Sequence, residues 1–66
     1  MRRIVIYLNE RGEYVVELLV ERLGKPDRIA DRAVFADLQS ARALAISWSH
    51  VNHDCPVEDV TSADTD

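Results

Sequence analysis

Residues 4–8 (Ile-Val-Ile-Tyr-Leu) and residues 14–20 (Tyr-Val-Val-Glu-Leu-Leu-Val) are two apolar, largely β-branched runs separated by Asn9, Glu10, Arg11, Gly12 and Glu13. Such runs around a short polar turn predict the two strands of a hairpin. A three-residue loop of Glu10, Arg11 and Gly12 puts the glycine at the left-handed position of a type I turn plus bulge, where any side chain is strained. That loop fixes the register, setting Leu8 opposite Tyr14, Ile6 opposite Val16 and Ile4 opposite Leu18. One face then carries Ile4, Ile6, Leu8, Tyr14, Val16, Leu18 and Val20, with no charge among them. The other carries Arg3, Val5, Tyr7, Glu13, Val15, Glu17, Leu19 and Glu21, and a one-residue slip would scramble the separation.

Residues 13–23 also fit a helix, with Glu13, Glu17 and Glu21 on one side and Val16, Leu19, Val20 and Leu23 on another. Gly24 would be its C′ residue and Pro26 would lie just beyond. The valines at 15, 16 and 20, and the need of the first run for a pairing partner, favour the strand. Gly24, Lys25, Pro26 and Asp27 mark the clearest break in the chain. Residues 28–35 are a candidate third strand with poor alternation, since Ile29, Ala33 and Phe35 share a side with Asp31.

From Asp37 the period changes. Leu38, Ala41, Leu44, Ala45, Trp48 and Val51 recur at helical spacing, and Asp37 is placed to cap the first turn. The alanines at 41, 43 and 45 keep this helix slim enough to lie close on a sheet. Trp48 reads as core, because its neighbours at helical spacing are apolar. Residues 52–56 end the helix, and residues 57–60 are a candidate short edge strand. The expected fold is α+β: a small antiparallel sheet in β-β-β-α order, with a candidate fourth short strand and one helix on one face. Residues 1–60 form the expected single domain and residues 61–66 a flexible acidic tail.

With 66 residues, 47% hydrophobic and 30% charged, the chain suits one small globular domain and is too apolar for disorder. The apolar opening run ends at Asn9, too early for a signal peptide, and no run reaches the roughly 20 residues a membrane span needs. The net charge of −4 is uneven. Residues 1–35 carry seven basic and six acidic groups, a balance of +1, whereas residues 36–66 carry one basic against six acidic, a balance of −5. An acidic half repels phosphate, which argues against direct nucleic-acid binding and for a protein partner with a basic surface. Cys55 is the single cysteine, so no intramolecular disulfide exists, and the expected compartment is the cytoplasm.

Candidate chemistry concentrates in two places. His50, His53, Asp54 and Cys55 cluster at the helix end, where two histidines, a carboxylate and a thiol could hold a soft divalent metal. The alternative is a polar C-terminal turn in which histidines suit the negative end of the helix dipole. The tight spacing matches no zinc pattern, so no metal or cofactor is expected, and no paired carboxylates or oriented nucleophile point to an enzyme. Glu10, Glu13, Glu17 and Glu21 form an acidic stripe, with Glu13, Glu17 and Glu21 on one strand face. Such a stripe either solvates the sheet or docks a basic partner. Tyr7, Val15, Val5 and Leu19 lie on the same face, making it half apolar and half acidic. The expected partner-binding set is Glu10, Glu13, Glu17, Glu21, Tyr7 and Val15, extended by Asp54, Glu58 and Asp59 of the acidic C-terminal segment. Like-charge crowding of the glutamates points to a monomer or a weak dimer.

Two resemblances carry this further. Residues 4–16 (Ile-Val-Ile-Tyr-Leu-Asn-Glu-Arg-Gly-Glu-Tyr-Val-Val) with residues 35–45 (Phe-Ala-Asp-Leu-Gln-Ser-Ala-Arg-Ala-Leu-Ala) resemble the β-β-β-α pattern of HicB-type antitoxin N-terminal domains. That resemblance implies a regulatory domain that neutralises a basic partner. In size, acidity and single-domain build the chain is similar to phage and prophage inhibitors, notably anti-CRISPR proteins. That similarity implies a non-enzymatic inhibitor in the bacterial host cytoplasm, occupying the nucleic-acid groove of a CRISPR effector subunit.

Overall fold

In the computed structural model, which describes residues 1–61, the chain runs through β1 (Arg2–Leu8), β2 (Tyr14–Arg22), β3 (Lys25–Phe35), α1 (Leu38–Val51) and β4 (Val57–Asp59). The tail expected over residues 61–66 lies, from residue 62 on, outside the described residues. The β1–β2 hairpin has the register that the Gly12 turn predicts, with Leu8 opposite Tyr14, Ile6 opposite Val16 and Ile4 opposite Leu18. Gly12 sits at φ 79°, its N–H donating to the Asn9 carbonyl at 3.1 Å. The Asn9 side chain completes the turn by accepting from the backbone amides of Arg11 and Glu13, both at 2.9 Å. Residues 14–22 are therefore strand, and the helical alternative for residues 13–23 is excluded.

The sheet order is β3-β2-β1-β4. The first three strands pair antiparallel, as expected; β4 joins β1 in parallel, so the sheet is mixed. The reason is directional. The helix returns across the sheet from the end of β3 and delivers the chain to the end where β1 begins, so the next strand runs alongside β1.

β3 begins at Lys25, three residues earlier than the sequence pattern suggests, because Gly24 (φ 72°) allows a tight turn straight out of β2. Its poor alternation is a β-bulge. Leu18 faces Asp31 and Leu19 faces Ile29, so Ala30 is an extra residue. The bulge sends Ile29 to the face opposite Asp31, Ala33 and Phe35, which corrects the expectation that all four share a side.

Asp37 caps α1, its carboxylate accepting from the Ser40 amide at 2.8 Å. The helix packs Ala41 and Ala45, both 0% exposed, onto Ile4, Ile6, Val16 and Leu18, with Tyr14, Phe35, Leu38 and Trp48 closing the margins. Two small residues at the point of closest approach let the helix axis come near the sheet, which is why the core can be sealed by so short a chain. Val51, which shares the helical spacing, is 78% exposed and adds nothing to the core. No helix among the described residues is long and apolar enough to cross a membrane.

Candidate functional site

The helix covers one face of the sheet and leaves the other open. Side chains alternate along each strand, so the registers assign the open face: Arg3, Val5 and Tyr7 from β1; Val15, Glu17, Leu19 and Glu21 from β2; Ile29, Arg32 and Val34 from β3; Glu58 from β4. Glu13, just before β2, and Asp27, bonded to Arg3, complete it. Five carboxylates stand there against two guanidiniums, a net charge of −3.

These charges are organised rather than bare. The Arg3 guanidinium gathers carboxylates from three strands: Asp27 at 2.9 Å, Glu58 at 3.2 Å and Glu21 at 4.0 Å. Hydrogen bonds to Asp27 and Glu58 push its pKa further above the ordinary arginine value. Glu17 accepts from the Tyr7 hydroxyl at 2.8 Å and lies 3.6 Å from Arg32 Nε. Burial, followed by the bond to Glu17, pushes the Tyr7 phenol above its ordinary pKa. Glu13 accepts from Asn9 Nδ2 at 3.1 Å. Each central carboxylate of the stripe thus has a polar partner within the protein.

The apolar positions divide in two. Val15, expected at the docking surface, is 0% exposed, enclosed between its cross-strand neighbours Tyr7 and Val34, and so cannot contact a partner. Ile29 and Val34 on β3 are half exposed and form the open apolar surface in its place. Glu10 lies on the hairpin turn, outside the sheet face. The alternating carboxylates of β2 are visible in the sequence. The β3 contribution is not, because it depends on the bulge at Ala30.

The acidic C-terminal residues do not form one patch. Glu58 is on the open face with Arg3, but Asp59 points to the helix side and takes Arg42 Nε at 2.7 Å. Burial pushes the Asp59 carboxyl up, but the bonds from Thr61 and Arg42 outweigh it and hold the group below its ordinary value. Asp54 lies at the other end of the fold from the hairpin turn and faces His50, with Oδ1 3.1 Å from Nδ1.

That last contact belongs to the turn after α1. Asn52 caps the helix, its amide donating to the carbonyls of Trp48 and Ser49. His53 (φ 61°) and Asp54 (φ 56°) follow in left-handed conformation, and the Asp54 amide returns to Ser49 O at 2.8 Å. This is a Schellman-type ending with histidine where glycine is usual. The Cys55 carbonyl accepts from Ser49 Oγ at 2.6 Å. Of His50, His53, Asp54 and Cys55 the turn joins His50 to Asp54, and among the described residues no three His, Cys, Asp or Glu side chains converge as metal ligands.

Beside this turn opens a cleft of about 540 Å³, between Met1, Arg2 and Val20 of the sheet and residues 52–56. Comparison of the chain with family models, with curated proteins and with solved structures found no match.

Proposed function

We propose that this chain is a small non-enzymatic binding protein that docks its open sheet face on a basic surface of a protein partner. The observation that carries the reading is the coincidence, on the one face the helix leaves bare, of a net charge of −3 with the half-exposed Ile29 and Val34. Apolar anchors on a face of net negative charge favour a partner of the opposite sign, and the charge adds on-rate and specificity to the apolar contact. In its most specific form the partner is a nucleic-acid-binding effector of a CRISPR system, and the face occupies the groove that otherwise takes DNA. An antitoxin-like role against a basic toxin uses the same surface, and the β-β-β-α element order is the observation that favours it.

The test is binding to partners recovered from a bacterial lysate, repeated across ionic strength with two variants. Glu21→Lys/Glu58→Lys reverses exposed carboxylates, and Val34→Asp spoils the apolar anchor. The reading expects steep weakening with salt and loss with both variants; a complex indifferent to both variants overturns it. Release of DNA from the recovered partner selects the inhibitor form, and relief of a toxin's activity selects the alternative.

A further inference from the structure

We propose that the cleft between the residue 52–56 turn and the start of β1 is a binding site for a small organic oxyanion, a phosphate or sulfonate carried on a flat apolar body. The registers place Arg2, Val20 and Arg28 in one row across three strands, on the helix side of the sheet but past the helix end. The next row holds Arg22 opposite Lys25. All four cations are exposed, and none has a carboxylate partner among the described residues; Arg22 spends its Nε and Nη2 on the Pro26 carbonyl at 3.2 and 3.0 Å. A chain with net charge −4 therefore carries a cationic corner that its sequence hides, because these residues are scattered over positions 2–28 and alternate with the carboxylates that face the other way.

The cleft adjoins that corner. Met1, Val20, Cys55 and Pro56 give it apolar surface, Arg2 stands on its wall, and His53 enters from the turn. Its volume of about 540 Å³ lies within the range of roughly 300–1,000 Å³ usual for small-molecule sites. Three features that could repel an anion are each engaged within the protein. Asp54 lines the cleft but has its Oδ1 3.1 Å from His50 Nδ1, and the helical carbonyls of Trp48 and Ser49 accept from the amides of Asn52 and Asp54. Asp31, one row toward the helix from Arg28, accepts from the Arg32 amide at 2.8 Å. An oxyanion at the Arg2–Arg28 rim gains charge-assisted hydrogen bonds while its apolar body fills the cleft over Val20. A polynucleotide does not suit the site, since its further phosphates would meet the protein's net negative charge.

The experiment is an amide NMR titration of the ¹⁵N-labelled full chain with 1-naphthyl phosphate, inorganic phosphate and 1-naphthol. The inference expects saturable shifts at Arg2, Val20, His53 and Cys55 with naphthyl phosphate, and binding about tenfold weaker with either fragment. Arg2→Glu and Arg28→Glu alter exposed side chains and leave the core intact. Each should weaken naphthyl phosphate severalfold, whereas Arg11→Glu, the same charge change on the hairpin turn, should not. Absent or unsaturable shifts, shifts centred on Ile29 and Val34, equal binding of inorganic phosphate, or equal losses in all three variants overturn it.

Discussion

The Tyr7 hydroxyl donates to Glu17 Oε2 at 2.8 Å across the β1–β2 pair, on the face that no helix covers. The bond lies over the fully buried Val15, so the open face has a small packed centre of its own.

Tyr7→Phe should destabilise the fold by about 1 kcal/mol, the usual net worth of one hydrogen bond, measured by urea unfolding at neutral pH. The phenol pKa is raised on folding, so this contribution is present below the ordinary tyrosine value of 10.0 and is lost as pH rises through the higher folded value. In an absorbance titration of the phenolates, one of the two tyrosines should ionise late in the folded protein. Tyr7→Phe should remove that late phase, and its survival would show that Tyr7 is not its source.

Asp59 predicts the acid side. Its folded pKa lies below the ordinary 3.8, so it stabilises the fold above that value and the contribution disappears as pH falls through the lower folded one. Asp59→Asn and Arg42→Ala both break the clasp between β4 and α1. Each should flatten the fall of the unfolding midpoint between about pH 5 and pH 2 relative to the parent chain. An unchanged acid limb in both variants would show that other carboxylates govern it.

Two left-handed positions make opposite predictions. An added Cβ at Gly12 meets no atom within 4 Å, so the cost of Gly12→Ala is backbone strain alone, about 1–2 kcal/mol. His53 already bears such strain at φ 61°, and His53→Gly should raise stability by about 0.5–1 kcal/mol. Paired denaturation curves read both signs, and a loss of stability in His53→Gly would mean that the imidazole makes a contact worth more than the strain.

Where local chemistry dictates the answer, the amino-acid order is sufficient. Gly12 sets the hairpin register, and Asp37 with the apolar spacing sets the helix to its first turn. Where the answer depends on an alignment between distant segments, it is not. The Ala30 bulge reverses the side on which Ile29 emerges, and no signal short of the pairing with Leu19 announces it. The partners of the acidic stripe were hidden for the same reason: Arg32 reaches Glu17, and Asp27 reaches Arg3, only once β3 is laid beside β2. The cationic row of Arg2 and Arg28 is likewise a product of sheet order, joining positions 26 residues apart in sequence.

β4 is three residues long, yet it decides which strand forms the border of the sheet. β1 holds Ile4 and Ile6 in the core and takes β4 along its outer side through Ile4 N–H to Pro56 O at 2.9 Å and Val60 N–H to Ile6 O at 3.0 Å. On a ribosome the β1–β2 hairpin can close within microseconds of emerging, but its outer side stays unprotected until Asp59 follows. At about 5–20 residues per second that interval lasts seconds, during which an apolar strand of Ile, Val, Ile and Tyr offers unpaired backbone groups to any neighbouring chain. β4, made well after β1, therefore governs how safely β1 can be made.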